Sequence, residues 1–213
     1  MAFFWEQAVD YAAKKHSGQL RIGGSEYITH PIAVANYLKE KGLPIEYQLA
    51  GLFHDLLEDT DATEDEIIFH SSEDVYRSVV ILTKRKGIDI ESYTAAIRDN
   101  PMALAVKIAD RIHNLHSAKI APLLFRMKYI AESLDHYKIL AIFSPFYQDF
   151  KAALVALQET ITEEYYCYIC KEWHDILTLR MHYTRDNFPL CGKAYVQYEA
   201  SFRDYERYLN REE

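Results

Sequence analysis

His54-Asp55-Leu56-Leu57-Glu58-Asp59 places two residues of metal-binding type one helical turn before two adjacent carboxylates. On an α-helix, which turns about 100° per residue, His54 would lie near Glu58 and Asp55 near Asp59. The leucines of the run and the residues before it are apolar, which predicts a largely buried helix. Because buried charges at this density need a cation or one another, the run predicts a functional site.

A solvated acidic helix face is the alternative for an isolated Glu-Asp pair, but a second segment favours a site. Ile28-Thr29-His30-Pro31 presents a histidine just before a proline suited to the first position of a helix. His30 would add a second imidazole to that of His54. The sequence therefore supplies two nitrogen ligands from separate segments.

A third segment, residues 107–117, sets polar groups into an otherwise apolar helix. Their spacing keeps them on one face, and they are Lys107, Asp110, Asn114 and Ser117. Two imidazoles and two carboxylates form a mixed ligand set suited to Mn²⁺, Fe or Zn²⁺. The members of that set would be His30, His54, Asp55 and Asp110.

With these segments in order, the chain resembles the HD-domain hydrolases, and specifically the alarmone (ppGpp) pyrophosphohydrolases of the Rel/Spo type. The resemblance runs from about Ala8 to Ser117. Its five blocks are His16-Ser17-Gly18-Gln19-Leu20-Arg21, Tyr27-Ile28-Thr29-His30-Pro31, His54-Asp55-Leu56-Leu57-Glu58-Asp59-Thr60, Leu82-Thr83-Lys84 and Lys107-Ile108-Ala109-Asp110-Arg111-Ile112-His113-Asn114. The resemblance implies an all-α, HD-domain helical bundle.

The resemblance also implies roles for the metal-binding and catalytic residues. One Mn²⁺ ion would be bound by His30, His54, Asp55 and Asp110. Glu58 and Asp59 would position and deprotonate the attacking water. The cation would offset negative charge on the pyrophosphate, which is why both sets of residues are needed.

Substrate binding is implied for residues around this centre. Arg21 would pack on the guanine base or contact phosphate, and Asn114 and Ser117 would hold the ribose and phosphate side. Lys107 and Arg111 are further candidates, with pairing to an acidic neighbour as the alternative. The chain departs from the family at Ile22, commonly a lysine, and at Glu26, usually a proline. Loss of the lysine should weaken substrate binding or shift nucleotide preference.

Other residues near the blocks have packing roles as the simpler interpretation. His16 is expected to support the site without binding the metal, and His113 and His116 are expected to be packing or surface residues. Tyr93 would either face the nucleotide or pack in the core.

Composition agrees with a helix-rich enzyme. The 213 residues are 49% hydrophobic, with only 7 Gly and 6 Pro, which favours helices. We expect an HD hydrolase domain over residues 1–164 and an extension over residues 165–213. Helices are expected at about 3–17, 30–41, 45–57, 63–70, 72–84, 90–99, 102–119, 122–142 and 145–164.

Charge and hydropathy limit the partners. A net charge of −8 argues against binding to duplex nucleic acid, where phosphate neutralisation dominates affinity. The sequence lacks an apolar run long enough for a membrane span and a secretion signal at its N-terminus. We therefore expect a cytoplasmic protein without a membrane partner. The helices over 122–164 would close the core or form a homo-oligomer interface.

The extension is rich in tyrosine and carries all three cysteines. Residues 176–183 alternate as in a strand, and residues 195–210 suit a helix. Cys167, Cys170 and Cys191 resemble a zinc ribbon that has lost its last ligand, with His174 or His182 as a substitute. A structural Zn²⁺ site is one interpretation, and a degenerate ribbon with reduced thiols is the other. A disulfide is disfavoured in the cytosol.

The sequence therefore predicts removal of the 3′-pyrophosphate from ppGpp or pppGpp, giving GDP or GTP and pyrophosphate. One alternative is hydrolysis of another nucleotide, such as a deoxynucleoside triphosphate, a nucleoside monophosphate or NADPH. A second is a noncatalytic nucleotide-sensing or antitoxin-like module, against which the Glu58-Asp59 pair argues. A small hydrolase of this type can serve housekeeping turnover or neutralise an alarmone synthetase, its partner by function only.

Overall fold

A succession of helices builds the chain from Trp5 to Gln158. The structure, a computed structural model, describes residues 5–161 and the backbone of residues 165–167, 172–174, 179–181 and 189–191. The helices are α1 (Trp5–Lys15), α2 (Thr29–Glu40), α3 (Ile45–Phe53), α4 (Leu56–Asp59), α5 (Glu64–His70), α6 (Glu73–Leu82), α7 (Ile90–Asp99), α8 (Pro101–Ser117), α9 (Leu123–Glu132), α10 (Lys138–Phe143) and α11 (Tyr147–Gln158). The predicted all-α bundle is confirmed over this part of the chain.

Helix α8 lies at the centre of the bundle. It begins where the Asn100 side chain accepts a hydrogen bond from the backbone N–H of Ala103 and Pro101 takes the first helical position. It packs against α2, α3, α6, α7 and α11. Its buried apolar residues are Ala103, Leu104, Ala105, Val106, Ile108, Ala109, Ile112 and Leu115. The polar groups on α8 are thereby carried into the interior.

Helices α2 and α3 pack closely at Gly51. A Cβ atom added there would lie 2.8 Å from Leu38 Cδ1 and 3.4 Å from the Cα of Ala35. A side chain at this position would force the buried Leu38 side chain to shift within a closely packed core. The contact brings the beginning of α2 and the end of α3 to the same side of α8.

The prediction of one continuous helix through residues 45–57 was wrong at its end. Helix α3 ends at Phe53, α4 begins at Leu56, and His54 and Asp55 form a turn between them. The His54 Nδ1 atom lies 2.7 Å from the Gly51 carbonyl oxygen, the acceptor that Asp55 N–H would use in a continuous helix. This competing hydrogen bond gives a physical reason for the break. As a result the four ionisable groups of the run do not share one helical face.

Other helix boundaries follow capping residues. Thr63 and Glu66 form a capping box that begins α5, as the acidic segment before it predicted. The long helix expected over 122–142 is α9 followed by a π-helical turn at Ser133–Tyr137 and then α10. The helix expected to reach residue 164 ends at Gln158.

The extension contains two short antiparallel strand pairs. Strand β1 (Tyr165–Cys167) pairs with β2 (Glu172–His174), and β3 (Leu179–Met181) pairs with β4 (Pro189–Cys191). Strand β3 falls within the strand predicted for residues 176–183. The predicted helix at 195–210 and Cys170 lie outside the described residues, and only the backbone is described at Cys167 and Cys191. The zinc site and the division at residue 164 stay predictions.

Within the described part of the chain, no helix is long and apolar enough to cross a bilayer.

Candidate active site

Four predicted metal ligands meet at one point beside α8. The His30 Nε2 atom lies 3.1 Å from Asp110 Oδ1 and 3.8 Å from Asp55 Oδ2. The His54 Nε2 atom lies 3.0 Å from Asp55 Oδ2 and 3.7 Å from Asp110 Oδ1. Both imidazoles and Asp110 are buried, whereas Asp55 keeps part of its carboxylate accessible.

Three elements bring these ligands together. His30 lies in the first turn of α2, just before Pro31, and Asp110 lies midway along α8. His54 and Asp55 come from the turn between α3 and α4. The break after Phe53 lets both consecutive side chains point to the same place, which successive positions of a helix would not allow.

The donor set fits a divalent cation. The His54 Nδ1–H group donates to the Gly51 carbonyl, so the Nε2 lone pair of a neutral His54 faces the two carboxylates. This Nε2 atom is buried and lacks a hydrogen-bond partner, although Asp55 Oδ2 is close. A ring nitrogen crowded by carboxylate oxygens without an aligned hydrogen bond is what a shared metal ion would satisfy.

The electrostatics of the cluster also favour a cation. Burial raises the pKa of Asp110, but Lys107 and His30 hold that pKa well below its usual range. Burial lowers the pKa of His54, and Asp55 and Asp110 overcome this effect and raise it to about 10. The two carboxylates therefore attract positive charge to the point between the imidazoles. A metal ion would replace the proton that the same field draws to His54.

The two predicted catalytic carboxylates have different partners, and Asp59 is the one that is connected to the cluster, through Tyr27. Glu58 is exposed, and its Oε2 atom accepts a hydrogen bond of 2.8 Å from the backbone N–H of Lys84. Asp59 is bound through its backbone carbonyl by the side chain of Gln19. Burial and the Asp55 carboxylate raise the pKa of Asp59. A raised pKa brings this carboxylate closer to the range of a useful general base.

Tyr27 is a site residue that the sequence reasoning missed. Its hydroxyl donates to Asp55 Oδ2 at 2.6 Å and lies 3.3 Å from Asp59 Oδ2. It thus joins a predicted metal ligand, Asp55, to a predicted catalytic carboxylate, Asp59. The available signal was its position one turn before His30 in the same sequence block, which places both side chains on one side of the chain.

The predicted substrate residues divide into two groups. A cavity of about 320 Å³ next to the cluster is lined by Arg21, Asn114 and Ser117, together with Ile22 and Tyr27. The Arg21 guanidinium donates to Asn114 Oδ1 at 2.9 Å, and the Asn114 amide donates to Asp110 Oδ1. These hydrogen bonds form a chain from the cavity to Asp110, one of the predicted metal ligands.

Lys107 and Arg111 have partners that keep them from the cavity. The Lys107 Nζ atom lies 3.1 Å from Asp110 Oδ2. The Arg111 guanidinium lies between the rings of Tyr129 and Tyr137, 4.0 and 3.8 Å from their centroids. Arg111 is 4% exposed. The Arg111 Nη2 atom also lies 3.4 Å from Glu132 Oε2, so Lys107 and Arg111 each have the acidic neighbour given as the alternative, and a substrate role for them stays a prediction.

Three further residues considered from the sequence, His16, His113 and Tyr93, have defined positions. His16 is buried, its Nδ1 atom lies 2.8 Å from Gln19 Oε1, and its ring packs on Tyr27. His113 contacts His30. The Tyr93 hydroxyl donates to the Leu82 carbonyl in the core, which leaves no part of it facing a nucleotide.

Comparison with known proteins supports the assignment of these residues to one domain. A family model described as "HD domain" matches residues 8–146. A probable GTP pyrophosphokinase of Mycobacterium leprae is 35% identical over 126 residues, which are 55% of this chain and 16% of that protein. A guanosine-3′,5′-bis(diphosphate) 3′-pyrophosphohydrolase of Aquifex aeolicus is 34% identical over 144 residues, 64% of this chain and 21% of that protein. The chain thus matches about a fifth of the length of these relatives.

A solved structure supports the fold. It is described as a metazoan ortholog of SpoT that hydrolyses ppGpp. The two chains align with a TM-score of 0.60 and 22% identity over 74% of this chain and 94% of the other. At this identity the likeness concerns the arrangement of helices.

Proposed function

We propose, because this chain belongs to the HD domain family, that it is a metal-dependent hydrolase that removes the 3′-pyrophosphate of ppGpp or pppGpp. One observation carries the proposal: the buried group of His30, His54 and Asp110, with the Asp55 carboxylate against it, borders both Asp59 and the cavity lined by Arg21. A cation site, a candidate base and a nucleotide-sized opening are the parts that such a reaction needs.

Four residues would hold the metal ion, and Mn²⁺ is the ion that we propose. They are His30, His54, Asp55 and Asp110. When bound, a divalent cation supplies positive charge that stabilises the phosphoryl oxygens during attack. The Lys107 ammonium group donates a hydrogen bond to Asp110 Oδ2, and the Asn114 amide donates one to Asp110 Oδ1. These contacts hold the Asp110 carboxylate in one orientation.

Asp59 and Glu58 would position and deprotonate the attacking water. The water oxygen forms a bond to the phosphorus attached to the ribose 3′ oxygen, and its proton passes to a carboxylate. The bond between that phosphorus and the 3′ oxygen breaks, and the 3′ oxygen takes up a proton. The products are GDP or GTP and pyrophosphate. Tyr27 keeps its proton, because burial and Asp55 raise its pKa, and it orients Asp59 by donating a hydrogen bond.

The nucleoside would lie in the cavity beside the metal ligands. Arg21 offers the planar guanidinium that stacks on a base or binds phosphate. Asn114 and Ser117 line the same cavity and present groups that can hydrogen bond to ribose. Tyr129 and Phe125 add aromatic surface to its wall. The size and composition of the cavity agree with a purine nucleoside.

The test is to incubate the purified protein with Mn²⁺ and ppGpp, pppGpp, deoxynucleoside triphosphates, nucleoside monophosphates or NADPH, and to identify the products. GDP and pyrophosphate from ppGpp are expected. If only another nucleotide were hydrolysed, the proposed substrate would be wrong, but the assignment as a hydrolase would hold. Asp110→Asn serves as the inactive control, because it removes one ligand charge while keeping the side-chain shape.

Ile22 favours one second candidate, a related nucleotide with less charge. The side chain is 54% exposed at the edge of the cavity, where it offers no positive charge to a phosphate. A substrate with fewer phosphates would lose less binding affinity from the absence of a positive charge at this position. The cytoplasmic location, a homo-oligomer and an alarmone synthetase as partner stay predictions from the sequence.

A further inference from the structure

The Nδ1 atoms of two histidines from different helices lie within hydrogen-bond distance of each other. The Nδ1 atom of His30, in α2, lies 2.8 Å from the Nδ1 atom of His113, in α8. The ring centroids are 4.7 Å apart and the planes are tilted by 40°. At this distance one nitrogen must carry a proton and the other must accept it.

The metal site decides which histidine carries that proton. The Nε2 atom of His30 faces Asp110 and Asp55, and a metal ion binds to a ring nitrogen through its lone pair. A neutral His30 with a free Nε2 lone pair has its proton on Nδ1. His30 Nδ1 is therefore the donor and His113 Nδ1 the acceptor. It follows that neutral His113 carries its own proton on Nε2.

We propose that His113 is a positioning residue that holds His30 in its metal-binding tautomer by accepting the hydrogen bond from His30 Nδ1. His54 has the equivalent support from the Gly51 carbonyl. The Nδ1–H group of each imidazole thus has a hydrogen-bond acceptor, which is a main-chain carbonyl for His54 and a side chain for His30. The inference rests on the proposed metal site, since it concerns the affinity of that site for a divalent cation.

Helix α8 offers a matched control. His113 and His116 both line a cavity of about 600 Å³, whose walls also include Asn36 of α2 and Ala152 of α11. Of these two histidines, only His113 contacts a residue of the metal cluster. Substitution of either one changes the same cavity wall, but only one substitution removes the acceptor from His30.

The experiment measures the affinity of the full chain for Mn²⁺ alone by calorimetry. His113→Leu, which has no acceptor, should weaken Mn²⁺ binding by about 10- to 100-fold, the usual effect of removing the partner of a ligating histidine. His113→Asn places a carbonyl oxygen near the position of Nδ1 and should restore most of the affinity. His116→Leu should bind Mn²⁺ as the unmodified protein does. Equal affinity of His113→Leu and the unmodified protein would overturn the inference.

A second measurement reads the tautomers directly and does not depend on the folding of a variant. In protein labelled with ¹⁵N at histidine and loaded with diamagnetic Zn²⁺, long-range ¹H–¹⁵N correlation should show His113 protonated at Nε2 and His30 at Nδ1. A proton on Nδ1 of His113 would contradict the assignment. Loss of Mn²⁺ affinity in His113→Leu together with no ppGpp hydrolysis by the unmodified protein would refute the substrate and leave this inference standing.

Discussion

Tyr27→Phe removes the hydroxyl that links Asp55, a proposed metal ligand, to Asp59, a proposed catalytic carboxylate. The ring stays, so its packing on His16 is kept. The hydroxyl makes a short hydrogen bond of 2.6 Å to Asp55 and a longer contact of 3.3 Å to Asp59. The two contacts should therefore contribute to different measurable quantities.

A hydrogen bond to a charged group contributes about 1.5–3 kcal/mol, or about 10- to 150-fold in an equilibrium or rate constant. The contact with Asp59 is long and exposed, so we expect kcat at saturating Mn²⁺ to fall by about tenfold, the lower limit of that range. The shorter contact with Asp55 should weaken Mn²⁺ binding by at least the same factor. Both effects arise without a change in overall fold.

The pH dependence gives the sign of the effect on Asp59. Burial and Asp55 raise the pKa of Asp59, and the hydrogen bond from Tyr27 lowers it. Removal of the hydroxyl should raise that pKa further, so more Asp59 is protonated at a given acidic pH. The acidic limb of the profile of kcat against pH should move to higher pH in Tyr27→Phe.

The assay compares kcat, Mn²⁺ affinity and pH profile for Tyr27→Phe and for a matched control, Tyr76→Phe. The Tyr76 hydroxyl also donates to a carboxylate, that of Glu64, which belongs to α5 and not to the cluster. The control should match the unmodified protein in all three quantities. An unchanged kcat and Mn²⁺ affinity in Tyr27→Phe, with the protein folded, would refute the reasoning.

Three further predictions concern residues around the site. Glu58→Gln should leave Mn²⁺ bound while kcat falls at least about 100-fold, the lower end of general-base effects. Full activity in a direct assay would show that Glu58 does not act on the attacking water. Ile22→Lys, at an exposed edge of the cavity, should lower KM for pppGpp by several-fold to about tenfold, and a KM unchanged at low salt would show that no phosphate reaches this position. Arg111→Met should lower the free energy of unfolding by about 2 kcal/mol or more, because a desolvated guanidinium stacked on two tyrosines is lost; chemical denaturation measures this, and a larger effect on KM than on stability would show that Arg111 contacts substrate.

The convergence of the candidate ligands could be predicted because it depends on spacing within short segments. His30 precedes a proline in the first turn of a helix, and Asp110 lies on the polar side of an apolar helix, so neither needs knowledge of distant contacts. Asn114 and Ser117 follow from the same helical repeat. These residues reach one place because α2, α3 and α8 pack together.

Features that depend on contacts between segments could not be predicted in the same way. The turn at His54 results from a side chain that competes for the Gly51 carbonyl, which helical periodicity does not reveal. His113 was expected to pack, and its contact with His30 needs α2 and α8 to be in place. The family resemblance implied Arg111 as a further candidate for substrate binding, but the rings on either side of its guanidinium come from α9 and the π-helical turn.

The most direct test of the proposed reaction is to follow the oxygen of the attacking water. The protein, loaded with Mn²⁺, is incubated with ppGpp in water enriched in ¹⁸O, and both products are examined by mass spectrometry. Attack on the phosphorus next to the 3′ oxygen predicts one ¹⁸O atom in pyrophosphate and none in GDP. The absence of these products, or ¹⁸O in GDP, would contradict the account.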